Sequence, residues 1–546
     1  MLVYGDHAER IDPRARLADI AAPVGEHVSH DRLTRAFLDL AGVAQGVADA
    51  DFASSGADRN RPAEALLLEV LTEVAGRLVR SWDDGCMGAS LPAIPVPDEL
   101  PAEVEVKLPE GYAFYALRPE AYALAARRLR LAASPRIIGL RSIGTGLACM
   151  AAAALDAAPP FTVRPAGDPF ARELRLSNAF AAALLKGEAH YVIVDEGPGL
   201  SGSSFGAVAD WLEDRGVPPE RIAFLPGHTN PLGPEACDRH RRRWEHAQRP
   251  VVTLDEPQQT RVERLTGPTT EWRDISAGAW RPLWSGNEAE WPAIDPTWER
   301  RKFLAGTATG EWLVKFAGLG RIGEARLTLA RQLEQSGFGP EVAGLIDGWL
   351  VTRWHGQARP DRPTKDELLA YLRFRTGLAA PQPGASLDTL LTMVRRNLPE
   401  RADWAPDLAV LSPRPVCTDN RMTPQEWLRL PSGRLVKADA VDHHQAHDLI
   451  GCQDIAWDLA GAVLELELSP ATAAELRAAL NVDPALLDFI TVAYAAFRVG
   501  AHRMSAASLG HWPDEQRRNV LAAERMERRL AAVDAIQHTG DINQPL

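Results

Sequence analysis

Residues 191–204 read YVIVDEGPGLSGSS, and this stretch decides the predicted fold of the first half of the chain. Four apolar or β-branched residues run into two acids, Asp195 and Glu196, and a loop of small residues follows. The next stretch, FGAVADWLEDRG, has helical spacing. A strand, a loop and a helix in this order predict a parallel α/β sheet, whose strands present ligand sites at their carboxyl ends.

The small residues of this loop suit a phosphate. Their backbone N–H groups can turn inward around the anion, and the positive end of the following helix dipole adds to the attraction. Two neighbouring carboxylates suit the hydroxyls of a sugar phosphate, directly or through Mg²⁺. A plain strand–turn–helix with solvated acids explains the same residues without a ligand. The candidate phosphate ligands are Gly199, Ser201, Gly202, Ser203 and Ser204.

The segment resembles the phosphoribosyl-pyrophosphate-binding motif of type I phosphoribosyltransferases, in which four apolar residues precede two acids and a T-G-x-T-like loop. Residues 201–204, SGSS, take the place of T-G-x-T, with serine for threonine and a connector one residue longer. The resemblance covers about residues 110–227. It implies transfer of ribose 5-phosphate from phosphoribosyl pyrophosphate to a base or other small acceptor, with Mg²⁺ bound and with Asp195 and Glu196 as catalytic acids.

Two upstream segments extend this resemblance. RSIGT at residues 141–145 follows the strand-like RIIGL and is similar to the family's pyrophosphate loop. RPAGDPFAR at residues 164–172 resembles the mobile flap that closes over the family's active site, although a solvated loop explains its arginines equally well. The resemblance assigns six residues here to substrate binding: Arg141, Ser142, Gly144, Thr145, Arg164 and Arg172.

A second group of motifs begins with Lys315, which lies in the predicted hairpin RKFLAGTATGEWLVKF. The helix that follows carries Glu324 in its first turn, and a second hairpin has Asp347 and Gly348 at its turn. A lysine on a strand, a helix with an early glutamate and another hairpin resemble the small lobe of kinase-like folds. The resemblance implies that Lys315 and Glu324 bind a nucleotide.

Three later segments, beginning at residues 416, 435 and 454, follow in an order similar to that of aminoglycoside-phosphotransferase-like small-molecule kinases. The similarity implies that Asp419 is the catalytic acid that positions the acceptor hydroxyl. It assigns Mg²⁺ to Asp439 or Asp442, and it gives Asp458 the role of bracing the catalytic loop.

The kinase-like motifs depart from the family pattern. No G-x-G-x-x-G loop precedes Lys315, and Pro424 stands where a metal-binding Asn is expected, with Glu426 as its substitute. The run DHHQAHD at residues 442–448 offers another interpretation, a transition-metal site, because His444 and His447 are one helical turn apart. That run lacks the H-E-x-x-H spacing of known zinc helices.

Composition excludes several classes of protein. The chain has 546 residues, with 60 Lys and Arg against 73 Asp and Glu, and a net charge of −13 argues against binding to nucleic acid or an anionic membrane. The longest apolar run, residues 147–155, is far shorter than a membrane span. Five scattered cysteines predict a reduced, cytoplasmic protein. We expect small molecules as partners, and a homo-oligomer stays open.

The sequence therefore predicts an α/β protein with four segments: a helical region at 1–98, a phosphoribosyltransferase-like parallel sheet at 99–250, a linker or cap at 251–292, and a bilobal α+β kinase-like domain at 293–546. The favoured function is a phosphoribosyltransferase fused to a kinase-like phosphotransferase that uses Mg²⁺ and ATP. The alternative is a regulatory protein that senses phosphoribosyl pyrophosphate or a nucleotide and contains a degenerate kinase-like scaffold.

Overall fold

The computed structural model describes residues 1–5, 7–22, 27–199 and 201–539. This part of the chain divides into two compact units. The N-terminal unit contains residues 7–256 together with 318–322, and the C-terminal unit contains the first residues, 257–317 and the chain from 323 onward. Each unit is described by itself below.

The N-terminal unit is built around a parallel sheet with helices packed on it. Its elements in chain order are β1 (Ala8–Ile11), α1 (Pro13–Ala21), α2 (His30–Ser55), α3 (Pro62–Asp83), β2 (Val104–Lys107), α4 (Glu110–Phe114), α5 (Pro119–Ala126), β3 (Pro135–Leu140), α6 (Gly144–Ala154), β4 (Phe161–Val163), β5 (Ala166–Asp168), β6 (Ala171–Glu173), α7 (Asn178–Leu184), β7 (His190–Val194), α8 (Ser203–Glu213), β8 (Ile222–Leu225) and α9 (Asp238–His246).

The parallel sheet has four strands in the order β4–β3–β7–β8. Three of them, β3, β7 and β8, are the apolar runs that the sequence predicts. Strand β7 is buried along its whole length, as expected of a strand covered on both faces. The predicted parallel sheet is therefore present. The short strand β4 was not predicted, because three residues are too few for a periodic signal.

The helical region predicted as a separate segment belongs to the same unit as the sheet. Helix α2 begins after Ser29, whose side chain caps the N–H of Arg32, and ends at Gly56 in the left-handed conformation. A Cβ placed on Gly146 of α6 would lie 3.1 Å from both Ala41 and Phe37 of α2. This close packing places the helices of the predicted N-terminal region, from residue 7 onward, in one unit with the predicted sheet domain, so the structure has no boundary near residue 98.

The C-terminal unit combines antiparallel sheets with a helical bundle. Its elements are α10 (Gln259–Thr266), β9 (Thr269–Asp274), α11 (Arg281–Trp284), β10 (Lys302–Thr307), β11 (Gly310–Phe316), α12 (Gly320–Gln335), β12 (Val342–Ile346), β13 (Trp349–Arg353), β14 (Arg359–Pro360), α13 (Lys365–Thr376), α14 (Leu387–Asn397), β15 (Trp427–Arg429), β16 (Leu435–Lys437), α15 (Ala456–Glu465), α16 (Pro470–Leu480), α17 (Pro484–Ser508) and α18 (Pro513–Thr539).

The larger sheet of this unit has five antiparallel strands in the order β12–β13–β11–β10–β9. Strand β9 comes from the segment predicted as a linker, and it pairs with β10. The indole of Trp272 on β9 stacks on Phe303, with ring centroids 5.5 Å apart. Most of the predicted linker is thus part of the C-terminal unit, because its aromatic residues complete the sheet.

The helical bundle has its own apolar core, in which Trp457, Tyr494 and Phe489 are buried. Among the described residues one helix, α17, is long and apolar enough to cross a membrane by length and composition. Two thirds of that apolar segment is buried inside the structure (67%), as in a core helix, so its length and composition are weak evidence of a membrane span. The cytoplasmic location stays a prediction.

We predict that Gly139→Ala destabilises the N-terminal unit. Gly139 lies in β3 where α6 crosses it, and an added Cβ would lie 2.5 Å from the carbonyl oxygen of Gly144. The expected loss is about 1–3 kcal/mol in the free energy of unfolding, measured in urea. In the matched control Gly76→Ala, the Cβ meets only ordinary contacts, and we expect no loss or a gain of up to about 1 kcal/mol. Equal losses in both variants would contradict this packing.

Candidate functional site

The candidate site of the C-terminal unit is centred on the ammonium group of Lys315. This group lies 2.7 and 2.8 Å from the two carboxylate oxygens of Asp439 and 3.4 Å from Oδ1 of Asp442. Arg300 pairs with the other oxygen of Asp442 at 2.7 Å. Burial lowers the pKa of the Lys315 ammonium, but the two carboxylates outweigh this effect and raise the pKa above its usual value. Lys315 is therefore a permanent cation here.

Strand pairing fixes the position of Lys315. It faces Lys302 on β10 and Leu350 on β13, and it shares a cavity with Leu313, Leu350 and residues 437–441. Alternation along β11 places Lys315 on the face opposite to the buried Val314. The structure thus brings together the lysine and the two aspartates that the sequence predicted from separate motifs. Glu324, predicted to bind the nucleotide with them, lies half-exposed on α12.

Asp439, Asp442 and His443 are close enough to share one ion, with ligand atoms within 4.8 Å of one another. Carboxylate oxygens are the ligands that Mg²⁺ prefers, so the two aspartates fit this ion. Burial lowers the pKa of His443, but the neighbouring carboxylates outweigh this and raise it to about 9. The two carboxylates are therefore the groups of this set that best fit Mg²⁺.

Asp419, the predicted catalytic acid, is fully buried. Its oxygens contact Lys437 at 3.0 Å and Nδ1 of His443 at 3.0 Å, and they accept a hydrogen bond from the hydroxyl of Tyr371. Arg375 lies 3.7 Å away. Burial raises the pKa of the Asp419 carboxyl, but the surrounding cations outweigh burial and hold the pKa well below its usual range. Asp419 is an ionised internal anchor.

The predicted role of Asp419 toward an acceptor hydroxyl therefore does not match its position, because its oxygens are enclosed by other side chains. The loop around it is braced by Asp458, which accepts hydrogen bonds from the N–H groups of Asp419 and Asn420, each at 2.8 Å. Asn420 adopts a left-handed conformation with φ of 68°. Burial raises the pKa of Asp458 to about 7. The brace keeps the carboxylate of Asp419 turned inward.

Lys437 is a site residue that sequence analysis missed. Its ammonium lies 3.0 Å from Asp419 and 2.5 Å from Glu426, the residue predicted to replace a metal-binding Asn. Burial lowers the pKa of Lys437, and the two carboxylates outweigh burial and raise it. The available signal was a lysine at the end of the short, otherwise apolar strand LVK.

The transition-metal alternative is not supported by the geometry. Within the described ranges, the two sets of three acid or histidine side chains near enough to share an ion are Asp419, Glu426, His443 and Asp439, Asp442, His443. Neither set contains His444 or His447. His444 is buried, and the ring of His447 lies 4.9 Å from that of Tyr4.

A second candidate site lies at the carboxyl end of β7 in the N-terminal unit. The carboxylate of Glu196 accepts a hydrogen bond from the N–H of Gly111 at 3.2 Å, and Tyr122 donates to the carbonyl of Asp195 at 3.0 Å. The start of α6 lies close, because a Cβ on Gly144 would be 3.2 Å from the Asp195 carboxylate. Burial raises the pKa of Asp195 to about 7 and that of Glu196 to about 8.

The predicted phosphate loop leads from β7 into α8. Gly199 and Gly202 have left-handed φ values of 64° and 63°, and α8 begins at Ser203. The hydroxyls of Ser201 and Ser203 donate to the carbonyl of Pro169 at 3.3 and 2.6 Å. Ser204 is half-buried in the first turn of the helix.

Pro169 lies between β5 and β6, so the segment predicted as a flap is a hairpin whose tip contacts the loop. Arg172 lies on β6 and donates to the carbonyl of Gly167 at 3.4 Å. The structure therefore brings the flap and the loop together, with the serine hydroxyls engaged by the hairpin.

The two other arginines assigned to pyrophosphate are held by internal acids. Arg141 is buried and pairs with Asp49 at 2.9 Å and with Asp58. Arg164 donates to Asp49 at 2.9 Å and to the carbonyl of Arg141. These ion pairs fasten the end of α2 to the sheet. The buried Arg141 and the half-buried Arg164 are thus neutralised by internal acids, and their pyrophosphate role stays a prediction that requires these ion pairs to open.

The rest of the predicted pyrophosphate loop lies between β3 and the start of α6. Ser142 is half-buried, Gly144 is the first residue of α6, and Thr145 is buried with a hydroxyl that has no hydrogen-bond partner in the described structure. Among the described residues, the Thr145 hydroxyl is thus a buried group of this loop with unused hydrogen-bonding capacity.

Comparison with solved structures finds kinases. The choline kinase LicA from Streptococcus pneumoniae shares 16% identity over 42% of this chain and 89% of its own, with a TM-score of 0.31. LicA in complex with AMP shares 14% identity over 50% of this chain and 97% of its own, with a TM-score of 0.30. The GDP complex of an aminoglycoside 2′-phosphotransferase shares 13% identity over 50% of this chain and 97% of its own, with a TM-score of 0.30.

At 13 to 16% identity and TM-scores of about 0.3, these likenesses carry no conclusion about this chain, and its mixed α/β character follows from its own helices and strands. No protein-family model and no curated protein sequence matches the chain. Nothing in these comparisons supports the resemblance to type I phosphoribosyltransferases. The proposals below rest on the residues of this chain.

The raised pKa values of Asp195, about 7, and Glu196, about 8, predict a pH-dependent stability. In the unfolded chain both groups lose their protons near pH ~4, whereas the folded chain retains them to higher pH. The free energy of unfolding should therefore fall as pH rises from about 4 to about 8. Asp195→Asn with Glu196→Gln should flatten this dependence in urea unfolding. The exposed control Glu245→Gln should leave it as in the wild type, and an unchanged slope in the double variant would contradict the raised pKa values of these acids.

Proposed function

We propose that the C-terminal unit binds a nucleotide with Mg²⁺ and belongs to the class of small-molecule phosphotransferases. The observation that supports this most strongly is the contact of Lys315 with both Asp439 and Asp442. A strand lysine beside two carboxylates is the arrangement needed to hold a polyphosphate and its metal together.

The charges of these residues suggest how the site changes when a nucleotide enters. Asp439 and Asp442 would hold Mg²⁺, which neutralises phosphate oxygens and stabilises the charge that develops during transfer. Lys315 is then no longer needed as a counter-ion for the aspartates, and its ammonium can turn to a phosphate oxygen. The lysine binds and orients the phosphates, and it takes no proton, since its pKa is raised.

The residue expected to position the acceptor hydroxyl, Asp419, is less accessible than the residues expected to bind the nucleotide. Phosphoryl transfer depends mainly on positioning and charge neutralisation, so an enclosed Asp419 does not by itself exclude transfer. An acceptor hydroxyl would, however, need to displace Tyr371 or His443 to reach its carboxylate. Nucleotide binding without transfer, as in a regulatory scaffold, is therefore the alternative outcome of the tests.

We further propose phosphoribosyl pyrophosphate as the ligand of the N-terminal unit, with ribosyl transfer as its reaction. Three features favour it: the acid pair at the end of β7, the glycine-rich loop before α8, and the hairpin against the loop serines. Asp195 and Glu196 would face the ribose hydroxyls, and Mg²⁺ would stabilise the departing pyrophosphate. Binding of the anion requires the serine hydroxyls to leave the carbonyl of Pro169.

We expect Lys315→Met to weaken binding of Mg²⁺–ATP at least tenfold in calorimetry on the full chain, because a charge-assisted contact to phosphate contributes about 1.5–3 kcal/mol. The matched control Lys365→Met removes a surface lysine of α13 that pairs with Glu475, and it should bind as the wild type does. Equal affinities of the wild type and Lys315→Met would contradict the proposed nucleotide site.

For the N-terminal unit, we expect phosphoribosyl pyrophosphate to bind the full chain in the presence of Mg²⁺ and to bind at least tenfold more weakly to Asp195→Asn with Glu196→Gln. The acids contact the ribose in this proposal, and loss of two hydrogen bonds of about 1 kcal/mol each is worth more than ~1.4 kcal/mol. Lys315→Met serves as the control for this unit and should leave the affinity unchanged. Wild-type affinity in the acid variant would remove the phosphoribosyl proposal and leave the nucleotide proposal intact.

A further inference from the structure

The ammonium of Lys437 lies in a cage of four oxygens. It is 2.5 Å from the carboxylate of Glu426, 2.8 Å from the carbonyl of Arg421, 3.0 Å from the carboxylate of Asp419 and 3.1 Å from the carbonyl of Asp439. The side chain is buried, with 1% of the residue exposed. Two carboxylates and two carbonyls surround a single positive charge.

Strand pairing holds Lys437 in this cage. It is the last residue of β16 and lies opposite Trp427 of β15, whose ring is 5.6 Å from the ammonium. Its backbone N–H donates to the carbonyl of Phe338 at 2.7 Å, and the next N–H, of Ala438, donates to the carbonyl of Glu426 at 2.8 Å. The backbone is fixed on both sides of the ammonium, so its position is set by the fold.

The same oxygens form a cation site in their own right. Carboxylate and carbonyl oxygens are the ligands of hard divalent cations, and the carboxylates of Asp419 and Glu426 lie within 4.8 Å of each other. Kinase folds hold two Mg²⁺ ions, one on the aspartate after the strand and one on a residue of the catalytic loop. In this chain the position between Asp419 and Glu426 does not fit a second metal ion, because the ammonium of Lys437 already lies between the oxygens that would bind it.

We propose that the ammonium of Lys437 takes the place of a second metal ion, so that the C-terminal unit binds a single divalent cation, at Asp439 and Asp442. The single metal at these two aspartates rests on the proposed nucleotide site, whereas the occupied cage does not. An additional dication between Asp419 and Glu426 would meet a buried lysine within 3.0 Å of both carboxylates. Like charges at this distance exclude each other in a buried site.

The test counts Mn²⁺ ions bound per full chain, by electron paramagnetic resonance and with a saturating non-hydrolysable ATP analogue, whose phosphates draw the Lys315 ammonium away from Asp439 and Asp442. We expect one ion in the wild type and one in Glu426→Gln, because Glu426 serves the lysine and no metal. Lys437→Ala should bind one ion more than the wild type, since the cage then has two carboxylates and space for an ion. The additional ion should be absent from Lys437→Ala with Glu426→Gln.

Loss of an ion in Glu426→Gln would overturn the proposal, and so would a folded Lys437→Ala that gains none. If circular dichroism shows that Lys437→Ala is unfolded, Glu426→Gln alone decides: an unchanged count supports the occupied cage, and a lower count overturns it. A wild type that binds no ion, with an ion gained in Lys437→Ala, would remove the proposed metal at Asp439 and Asp442 and support the occupied cage.

Discussion

The ionised carboxylate of Asp419 is the constraint on which the C-terminal site depends. A fully buried charge is tolerated only when paired and hydrogen-bonded, and removal of one partner from such a pair costs roughly 3–5 kcal/mol. Asp419 meets this requirement through Lys437 of β16, Tyr371 of α13 and His443. The strand, the helix and the loop are thereby fixed relative to one another.

This constraint determines where the remaining charges of the site lie. Because Lys437 is held by Asp419 and Glu426, the residues directly after it are also fixed, and Asp439 faces the lysine of β11. Positive and negative charges therefore alternate through the site. Lys437 contacts the carboxylates of Asp419 and Glu426, and Lys315 contacts those of Asp439 and Asp442. Lys315 lies beside the cavity, and it is the lysine that can exchange its contacts with these aspartates for a contact with a phosphate.

Local patterns predicted much of this arrangement. The apolar runs of β3, β7 and β8 and the hairpin of β10 and β11 are visible in the sequence because strand periodicity is local. Lys315 and Asp439 were found by their order within a known family pattern. Lys437 was missed because its role depends on the carboxylate of Glu426, which lies eleven residues earlier, directly before the neighbouring strand β15.

The incorrect or unsupported predictions have the same cause, which is pairing between residues that lie far apart in the sequence. Arg141 follows a strand as a phosphate-binding residue would, but its partners are Asp49 and Asp58, about ninety residues earlier in the chain. Strand β9 was predicted as a linker because the bonds that make it a strand go to β10, almost thirty residues later. Pairings over such separations leave no periodic signal, so sequence alone could not tell a free acid or arginine from a neutralised one.

The most direct test is the location of the metal in crystals of the full chain grown with Mn²⁺ and a non-hydrolysable ATP analogue, by anomalous scattering. The account predicts one peak between the carboxylates of Asp439 and Asp442, with the Lys315 ammonium on a phosphate oxygen. A peak between Asp419 and Glu426, or a nucleotide bound away from Lys315, would contradict it.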